Sequence, residues 1–531
     1  MQVSILLIGL LAVVIAVTIV AKRFEFPYPI AFVLGGALIA ALPHLPDFRI
    51  RQDLVFLLIL PPLLYSGGWS MDLNLFRRNL RPILQLAIGL VIATTVAVAL
   101  AAHAFLPALG WGAAFALGAI VSPPDAVAAG AVFERFPVPR TVAAILSGEG
   151  LVNDGVALVI YQFAVAATVT GLFSPGRAAV SFVVVAVGGI AIGTVLGFAF
   201  TKLAVTLRRF ELTDPLISNV LLLLAPYATY LAADSLHVSG VLATVVAGAI
   251  GGRNSASVYD AESRLIGSSV WQLLIFLLNG LVFVLIGLQL RTIVLAPNFE
   301  LGTLWLGLIV SGLLVVVRMA WVFPVSFLSR VLIKGITRRT DEAPQWRYVF
   351  VVAWSGMRGI ISLASALALP LTLANGAAFP ARDTIIFVTF CAIFVTLVVQ
   401  GITLIPILKW LKIDAGEDVE TQEIEIRVTA LRAGIARLRE LEPSFDSTVQ
   451  WEIEGRLLAE YEHRIGHLNR HNEVRLEPGD SFEIDVDHDM QQQALSAERR
   501  EILRMRDAGE IPDEFYRNVE LDLDLATARL T

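Results

Sequence analysis

Long apolar runs, separated by short polar stretches, occupy the first three quarters of the chain. An α-helix needs roughly 20 apolar residues to cross about 30 Å of hydrocarbon. Thirteen runs are predicted to span, although the second, third and ninth are short. They cover residues 3–21, 28–42, 53–67, 82–106, 111–132, 141–169, 178–201, 214–233, 238–251, 268–290, 301–329, 347–371 and 383–410. The pattern therefore predicts an all-α polytopic membrane protein.

The loops between these runs alternate in basic charge. With the N-terminus outside, 17 Lys and Arg residues fall in cytoplasmic loops and 5 in outside loops. This asymmetry agrees with the positive-inside rule, which would be lost if one span in the middle were miscounted. Residues 1–21 lack a basic n-region, so we interpret them as the first transmembrane helix rather than a signal peptide. The predicted topology has the N-terminus outside and the C-terminus in the cytoplasm.

The pattern changes after the last apolar run. Apolar residues then follow a 4-3-4-3 spacing, which indicates an amphipathic helix: Ile424, Val428, Leu431, Ile435 and Leu438. A second helix is predicted over 449–468, an acidic loop over 477–489, and two more helices within 497–530, broken near Ile511-Pro512. We divide the chain into a transmembrane domain, 1–410, and a small helical cytoplasmic tail, 411–531, whose function could be regulatory or purely structural.

Composition supports this division. Hydrophobic residues make up 56% of the chain and charged residues 16%, with a mean hydropathy of +0.73, whereas soluble domains carry about 25% charged residues. The tail holds 15 basic and 29 acidic residues, against 25 and 17 before it. A single cysteine, Cys391, excludes an intrachain disulfide, and the seven histidines show no metal-ligand spacing. We expect no organic cofactor and no nucleic-acid partner.

Three segments place polar residues at membrane depth. They are Ser122-Pro123-Pro124-Asp125 in the fifth run, SGEGLVND (147–154) in the sixth, and Ser355 to Gly359 in the twelfth. Consecutive prolines remove two backbone donors and should break the fifth helix. Interrupted helices at corresponding places in two halves of a transporter indicate its binding site. The fifth and twelfth runs correspond if runs 1–6 and 8–13 form an inverted repeat.

Ionisable residues at this depth usually mark ion or proton pathways. Asp125 and Asp154 are the predicted ion-handling carboxylates, because a buried carboxyl group can hold a proton or a cation but not both well. The alternative is that they only cap a broken helix. Glu149 and Arg358 are predicted to form a structural ion pair, since each would be costly alone. Asn153 can donate a hydrogen bond from its amide without adding charge.

These motifs, SPPDAV, GEGLVND and SGMRG, resemble those of monovalent cation:proton antiporters of the first branch, the NhaP and sodium/proton-exchanger type. The resemblance covers residues 1 to about 410, and the tail is similar to those of a bacterial subgroup. It implies a six-plus-six inverted repeat with crossed, unwound fifth and twelfth helices, a homodimer in the bacterial plasma membrane, and elevator-like alternating access. The Asn153-Asp154 pair implies electroneutral exchange of one cation for one proton, without chemical catalysis.

Three positions depart from the family pattern. Pro124 replaces the usual Thr, so only its carbonyl could bind a cation, and Gly150 replaces a Ser whose hydroxyl is a ligand. Ser66 stands where many relatives carry an acid. The expected ligands are therefore Asp125, Asp154, Ser66 and backbone carbonyls. This set leaves lithium and potassium open beside sodium.

Other interpretations compete with a sodium/proton antiporter. A potassium/proton antiporter would use the same mechanism. An intramembrane di-aspartyl protease also needs two aspartates, but it leaves Glu149, Asn153 and Arg358 unexplained. A cation channel would not need a protonatable pair. Two further polar residues receive minor assignments: Arg318 is expected to snorkel and Asn279 to make a helix-packing contact.

Overall fold

The computed structural model describes most of the chain and divides it into two compact units, Met1–Asp414 and Ala415–Thr531. The described residues are 2–24, 26–42, 55–133, 136, 138–171, 175–212, 214–294, 301–334, 345–373, 376–413, 417–442, 447–476, 495–498, 500–505, 519 and 523. Within these ranges the protein is helical, and the β pairing is confined to an isolated bridge between Thr372 and Ala378. The prediction of an all-α protein is confirmed.

The helices of the first unit follow the predicted apolar runs. They are α1 (Gln2–Arg23), α2 (Tyr28–Ala40), α3 (Leu60–Trp69), α4 (Leu73–Arg78), α5 (Leu80–Leu84), α6 (Val91–Phe105), α7 (Gly110–Val121), α8 (Ala126–Phe133), α9 (Arg140–Thr170), α10 (Pro175–Arg209), α11 (Pro215–Ser235), α12 (Gly240–Val258), α13 (Ala261–Val294), α14 (Leu301–Lys334), α15 (Trp346–Trp354), α16 (Ile360–Leu367), α17 (Arg382–Val395) and α18 (Gly401–Trp410). Single π turns lead into α3 and join α5 to α6 and α17 to α18: Val55–Ile59, Gln85–Leu90 and Thr396–Gln400.

Eight helical segments among the described residues are long and apolar enough to cross a membrane. They are Leu80–Phe105, Pro107–Phe133, Arg140–Thr170, Ala179–Arg209, Pro215–Ser235, Ala261–Leu290, Gly302–Phe327 and Arg382–Trp410. Tyr28–Ala40 and Leu57–Trp69 are shorter apolar helices. The count of thirteen crossings stays a prediction.

Both predicted interruptions are present. Helix α7 ends at Val121 and α8 begins at Ala126, while α15 ends at Trp354 and α16 begins at Ile360. The first break follows from two consecutive prolines, which cannot donate backbone hydrogen bonds. The second contains Gly356 and Gly359, residues that lower helix propensity. Four half-helix ends are thereby brought inside the protein.

The helices pack as two groups. We call α5–α9 with α14–α18 the crossing bundle, because it contains both interruptions, and α1–α3 with α10–α13 the flanking bundle. In the flanking bundle α3 packs closely on α12. A Cβ at Gly68 would meet the carbonyl oxygen of Val245, and a Cβ at Gly248 would meet that of Tyr65.

The outer surface of the flanking bundle is apolar. Helix α10 exposes valine and phenylalanine side chains, each more than half exposed: Val180, Val183, Val187 and Phe198. Such a helix face suits contact with lipid. In the crossing bundle the single cysteine, Cys391, is buried in α17 and packs against Gly307 of α14.

The second unit contains α19 (Glu417–Leu441) and α20 (Thr448–Leu476). The predicted amphipathic helix is confirmed as α19, which buries Ile424 and Val428. Helix α20 covers the predicted second helix and extends beyond it, and residues 495–498 and 500–505 are helical. The predicted acidic loop and the break near Ile511-Pro512 lie outside the described residues.

Candidate functional site

The two interruptions are hydrogen-bonded to each other. The backbone N–H of Asp125 donates to the carbonyl oxygen of Met357 over 2.6 Å. In the other direction, Arg358 Nε donates to the carbonyl oxygen of Val121, at the end of α7, over 3.1 Å. Within its own interruption, Arg358 Nη1 donates to the carbonyl of Gly356. Arg358 is only 2% exposed. It therefore neutralises the negative end of α7, where unpaired carbonyls concentrate partial charge.

Asp125 lies at the positive ends of two half-helices. Its carboxylate accepts a hydrogen bond from the N–H of Val127 over 2.9 Å, which caps α8. The same carboxylate packs against Gly359, immediately before α16, so closely that a Cβ there would overlap it. The carboxylate of this half-buried side chain thus lies at the N-termini of two helices.

Helix α9 carries the sixth-run motif without a break. Asn153 is fully buried, and its Nδ2 donates to the carbonyl oxygen of Pro124 over 3.1 Å, while its Oδ1 has no hydrogen-bond partner among the described residues. The Pro124 carbonyl keeps a second lone pair for another donor or a cation. Asp154 points into a cavity that Asp125 also lines.

The predicted partner of Glu149 is wrong. Glu149 pairs with Arg318 of α14, with Nη1–Oε1 and Nη2–Oε2 distances of 2.5 and 2.8 Å. Both side chains are 1% exposed. Arg318 Nε and Nη2 also donate to the carbonyl of Val352 near the C-terminal end of α15, over 3.2 and 3.0 Å. Arg318 is thus a bidentate ion-pair partner and a helix cap, and it does not snorkel.

Glu149 and Asp154 separate as expected from helix geometry. Five residues along an α-helix turn the side chain by about 140°. Glu149 accordingly faces Arg318, within the crossing bundle, and Asp154 faces the cavity. The structural and the ion-handling carboxylates therefore occupy different faces of α9.

The cavity measures about 220 Å³ and lies between the two bundles, which leaves room for several water molecules. The crossing bundle contributes both interruptions, α9 and α16, and the flanking bundle contributes α3 and α13. Its polar side chains are Ser70, Asp125, Ser147, Asp154, Asn279 and Ser362. Both carboxylates come from the crossing bundle, and the wall formed by α3 and α13 carries only neutral polar groups.

Ser66 does not line this cavity. The lining positions of α3 and its end are Leu60, Leu63, Leu64, Gly67 and Ser70. These recur every three or four residues, as expected of one helix face, and the residue before Gly67 lies about 100° away from that face. Ser70, not Ser66, supplies the hydroxyl at this end of the cavity.

Asn279 and Ser362 also belong to the cavity, although neither was assigned to the site from sequence. Asn279 of α13, predicted as a packing contact, lines the cavity, and so does Ser362 of α16. A polar residue within four positions of a helix break is the signal that identifies Ser362. Position 150 offers no side-chain ligand, because a Cβ there would lie 2.5 Å from the Cβ of Ala126.

Crossed, interrupted apolar helices and two carboxylates facing a cavity between bundles define a membrane protein of the secondary-transporter class. The chain belongs to the sodium/hydrogen exchanger family, whose transmembrane model matches residues 9–410. The resemblance of the three motifs is therefore confirmed. Because this family consists of transporters, the protease interpretation is not adopted.

Relatives cover nearly the whole chain. It is 32% identical to the uncharacterized Na+/H+ exchanger YjcE of Escherichia coli, over 96% of this chain and 94% of that protein. It is 34% identical to the sodium, potassium, lithium and rubidium/H+ antiporter of Bacillus pumilus, over 83% of this chain and 66% of that one. The sodium proton antiporter MjNhaP1 of Methanocaldococcus jannaschii has a similar fold, with a TM-score of 0.55 at 20% identity, covering 77% of this chain and 100% of that structure.

Proposed function

We propose that the protein is a secondary active antiporter that exchanges one monovalent cation for one proton without moving net charge. The five ionisable side chains at the centre of the crossing bundle support this stoichiometry. The interior acids Asp125, Glu149 and Asp154 outnumber the interior bases Arg318 and Arg358 by one, which leaves one net negative charge when all five are ionised. One proton or one monovalent cation neutralises the site, and only a neutral site passes a low-dielectric barrier cheaply.

Asp125 and Asp154 are the proposed carboxylate ligands. They share the cavity and are close enough for their charges to interact. The carbonyl of Pro124 supplies a further oxygen, and Asn153 holds that carbonyl in place through its amide. Glu149 with Arg318, and Arg358 with the half-helix carbonyls, serve as fixed structural charges.

The arrangement of the bundles supports alternating access. Because both carboxylates belong to the crossing bundle, displacement of that bundle against the flanking bundle would carry the cation with its ligands. We place the protein in the bacterial plasma membrane as a homodimer, with its N-terminus outside and the tail 411–531 in the cytoplasm. It would serve pH and salt homeostasis.

Sodium is the first candidate cation, and potassium is the second. The names of relatives include sodium alone and sodium, potassium, lithium and rubidium together. The neutral wall formed by α3 and α13 favours transport of several alkali cations rather than sodium alone, because no additional acid strengthens the electric field at the cation site. Selection among alkali cations would then depend on the number and spacing of oxygen ligands.

The decisive experiment uses purified protein in liposomes that carry a pH gradient. Sodium, lithium and potassium are added separately while the membrane potential is monitored and clamped. Collapse of the gradient at the same rate at every potential supports electroneutral antiport and identifies the ion. Collapse that follows the potential contradicts one-for-one exchange, and no response from folded protein contradicts antiport of these cations.

A further inference from the structure

One hydroxyl group in the cavity is buried and has no partner. Ser362 is 2% exposed, lines the cavity, and its Oγ makes no hydrogen bond within the described residues. A buried polar atom without a partner is uncommon and calls for a bound water, an ion or a functional role.

The helix break removes the acceptor that a helical serine hydroxyl commonly uses. Some buried Ser and Thr side chains in continuous helices of the transmembrane unit donate to the carbonyl four residues earlier, as Thr95 does to Val91 over 2.8 Å and Ser311 to Gly307 over 2.7 Å. The buried hydroxyls of Thr94, Thr229, Ser263 and Thr389 also lack a partner among the described residues, but none of them lines the cavity. For Ser362 the residue four positions earlier is Arg358, which lies in the interruption before α16. No helical carbonyl is present there to accept from its Oγ.

This hydroxyl belongs to the same cavity as the ion-handling carboxylates. Ser362 lies in the first turn of α16, three residues after Gly359, which contacts the Asp125 carboxylate. The other cavity serines differ: Ser147 is exposed, and Ser70 is exposed and donates to the carbonyl of Ser66 over 3.0 Å.

We propose that the Ser362 hydroxyl is a ligand of the transported cation and favours sodium and lithium over potassium. It provides the neutral side-chain oxygen that position 150 cannot carry, because Ala126 fills the space there. The proposal rests on cation/proton antiport at Asp125 and Asp154. The preference for smaller cations follows from a fixed spacing of the ligands. The hydrogen bond from Asp125 N–H to the Met357 carbonyl ties the segment before α16 to the first interruption, so the ligands cannot move apart around a larger ion.

The test compares Ser362→Ala with Ser365→Ala. Ser365 lies three residues further along α16, is equally buried at 2%, and does not line the cavity. Two quantities are measured for each variant and for the wild type. One is the apparent KM for sodium, lithium and potassium in proteoliposomes, and the other is the sodium-induced rise in Tm of purified protein, which needs no transport.

We expect Ser362→Ala to raise the sodium and lithium KM about 5- to 10-fold, the effect of one lost neutral ligand. Its potassium KM should change less than twofold, exchange should stay electroneutral, and the sodium-induced Tm rise should shrink. Ser365→Ala should keep wild-type values. An unchanged sodium KM and Tm rise in Ser362→Ala overturns the proposal, and so do equal changes in both variants.

Failure of the proposed function has a different signature. If the wild type moves no protons in response to any of the three cations, antiport is contradicted whatever the variants do. A sodium-induced Tm rise that depends on Ser362 would then still support the ligand assignment.

Discussion

The two interruptions that cross in this protein are both short, four residues (122–125) and five residues (355–359), and they carry opposite charges. In the first, Asp125 is half-buried, faces the cavity and caps α8 through the N–H of Val127. In the second, Arg358 is 2% exposed and donates to the carbonyls of Val121 and Gly356. Arg358 is surrounded by fixed backbone acceptors, whereas one side of Asp125 faces the cavity, where water or a cation can reach it.

One buried site thus combines two kinds of charge. Permanent charge is paired with other groups of the protein, and replaceable charge is neutralised by a bound proton or cation. Arg358 and Arg318 each bind carbonyls near the C-terminal end of a half-helix, and Glu149 balances Arg318. Each of these groups has a charged or dipolar partner inside the protein. Asp125 and Asp154 lack basic partners among the described ion pairs, so their counter-charge must arrive from outside.

The largest expected effect follows from removing replaceable charge. Asp154→Asn or Asp125→Asn should reduce cation-driven proton flux to the level of protein-free liposomes, because the site can no longer alternate between proton and cation. Folding and yield should be retained, as judged by size-exclusion chromatography and circular dichroism. Asp383→Asn, which changes an acid that is 69% exposed, is the matched control and should transport normally. Proton-coupled flux in Asp154→Asn would remove that residue from the mechanism.

Removing permanent charge should instead affect stability. Arg318→Ala leaves Glu149 buried without its bidentate partner and should cost about 3–5 kcal/mol, measured by thermal unfolding in detergent. Arg358→Ala should cost less, because its Nε and Nη1 hydrogen bonds go to carbonyls rather than to an acid. A double-mutant cycle should couple Glu149 strongly to Arg318 and weakly to Arg358. The reverse order of coupling would contradict the assigned pair.

A smaller effect is expected where the two interruptions touch. Gly359→Ala introduces a Cβ into the space of the Asp125 carboxylate, so exchange should slow on the order of tenfold or more through misplacement of that ligand. The backbone φ of −139° at Gly359 suits alanine, so any loss is steric. Gly130→Ala in α8, with no atoms near its added Cβ, is the control. Equal rates in the two variants would contradict close contact at Gly359.

The smallest effect concerns a titratable pair outside both interruptions. Burial and the adjacent Glu442 carboxyl raise the pKa of Glu454 in α20 above its usual 4.5. The folded tail therefore holds a proton that the unfolded tail releases, so tail stability should fall as pH rises from about 4.5 through the raised pKa. Hydrogen exchange of α19 and α20 in the full chain, corrected for intrinsic rates, should show this loss. Glu454→Gln should flatten it, and an equal pH dependence in both proteins would contradict the assignment.

Much of this arrangement could be predicted from local sequence. Apolar runs located the helices, consecutive prolines located the first interruption, and the polar segment Ser355 to Gly359 in the twelfth run located the second. The partner of Glu149 could not be predicted from spacing, because Arg318 is 169 residues away. A physical signal was nevertheless present: Arg358 has freed carbonyls beside it, whereas Arg318 lies in a continuous helix and required an acid.

The face of a short helix was harder to predict. Ser66 and Ser70 both lie near the end of α3, and only Ser70 lines the cavity. A π turn, Val55–Ile59, precedes α3 and shifts the phase of the residues after it. The apolar sequence of that turn gives no indication of the shift. The expectation for Ser66 came from the family resemblance, and the residue pattern alone does not give the rotational phase of α3.

The buried position of Cys391 has a practical consequence for labelling chemistry. With a single thiol in the chain, packed between α17 and α14, water-soluble maleimides should react mainly with cysteines introduced elsewhere. Ser70→Cys and Val127→Cys would place one reactive thiol on each side of the cavity, both at exposed positions. A cross-linker or a pair of spin labels there would report directly whether the two walls slide past each other during a transport cycle.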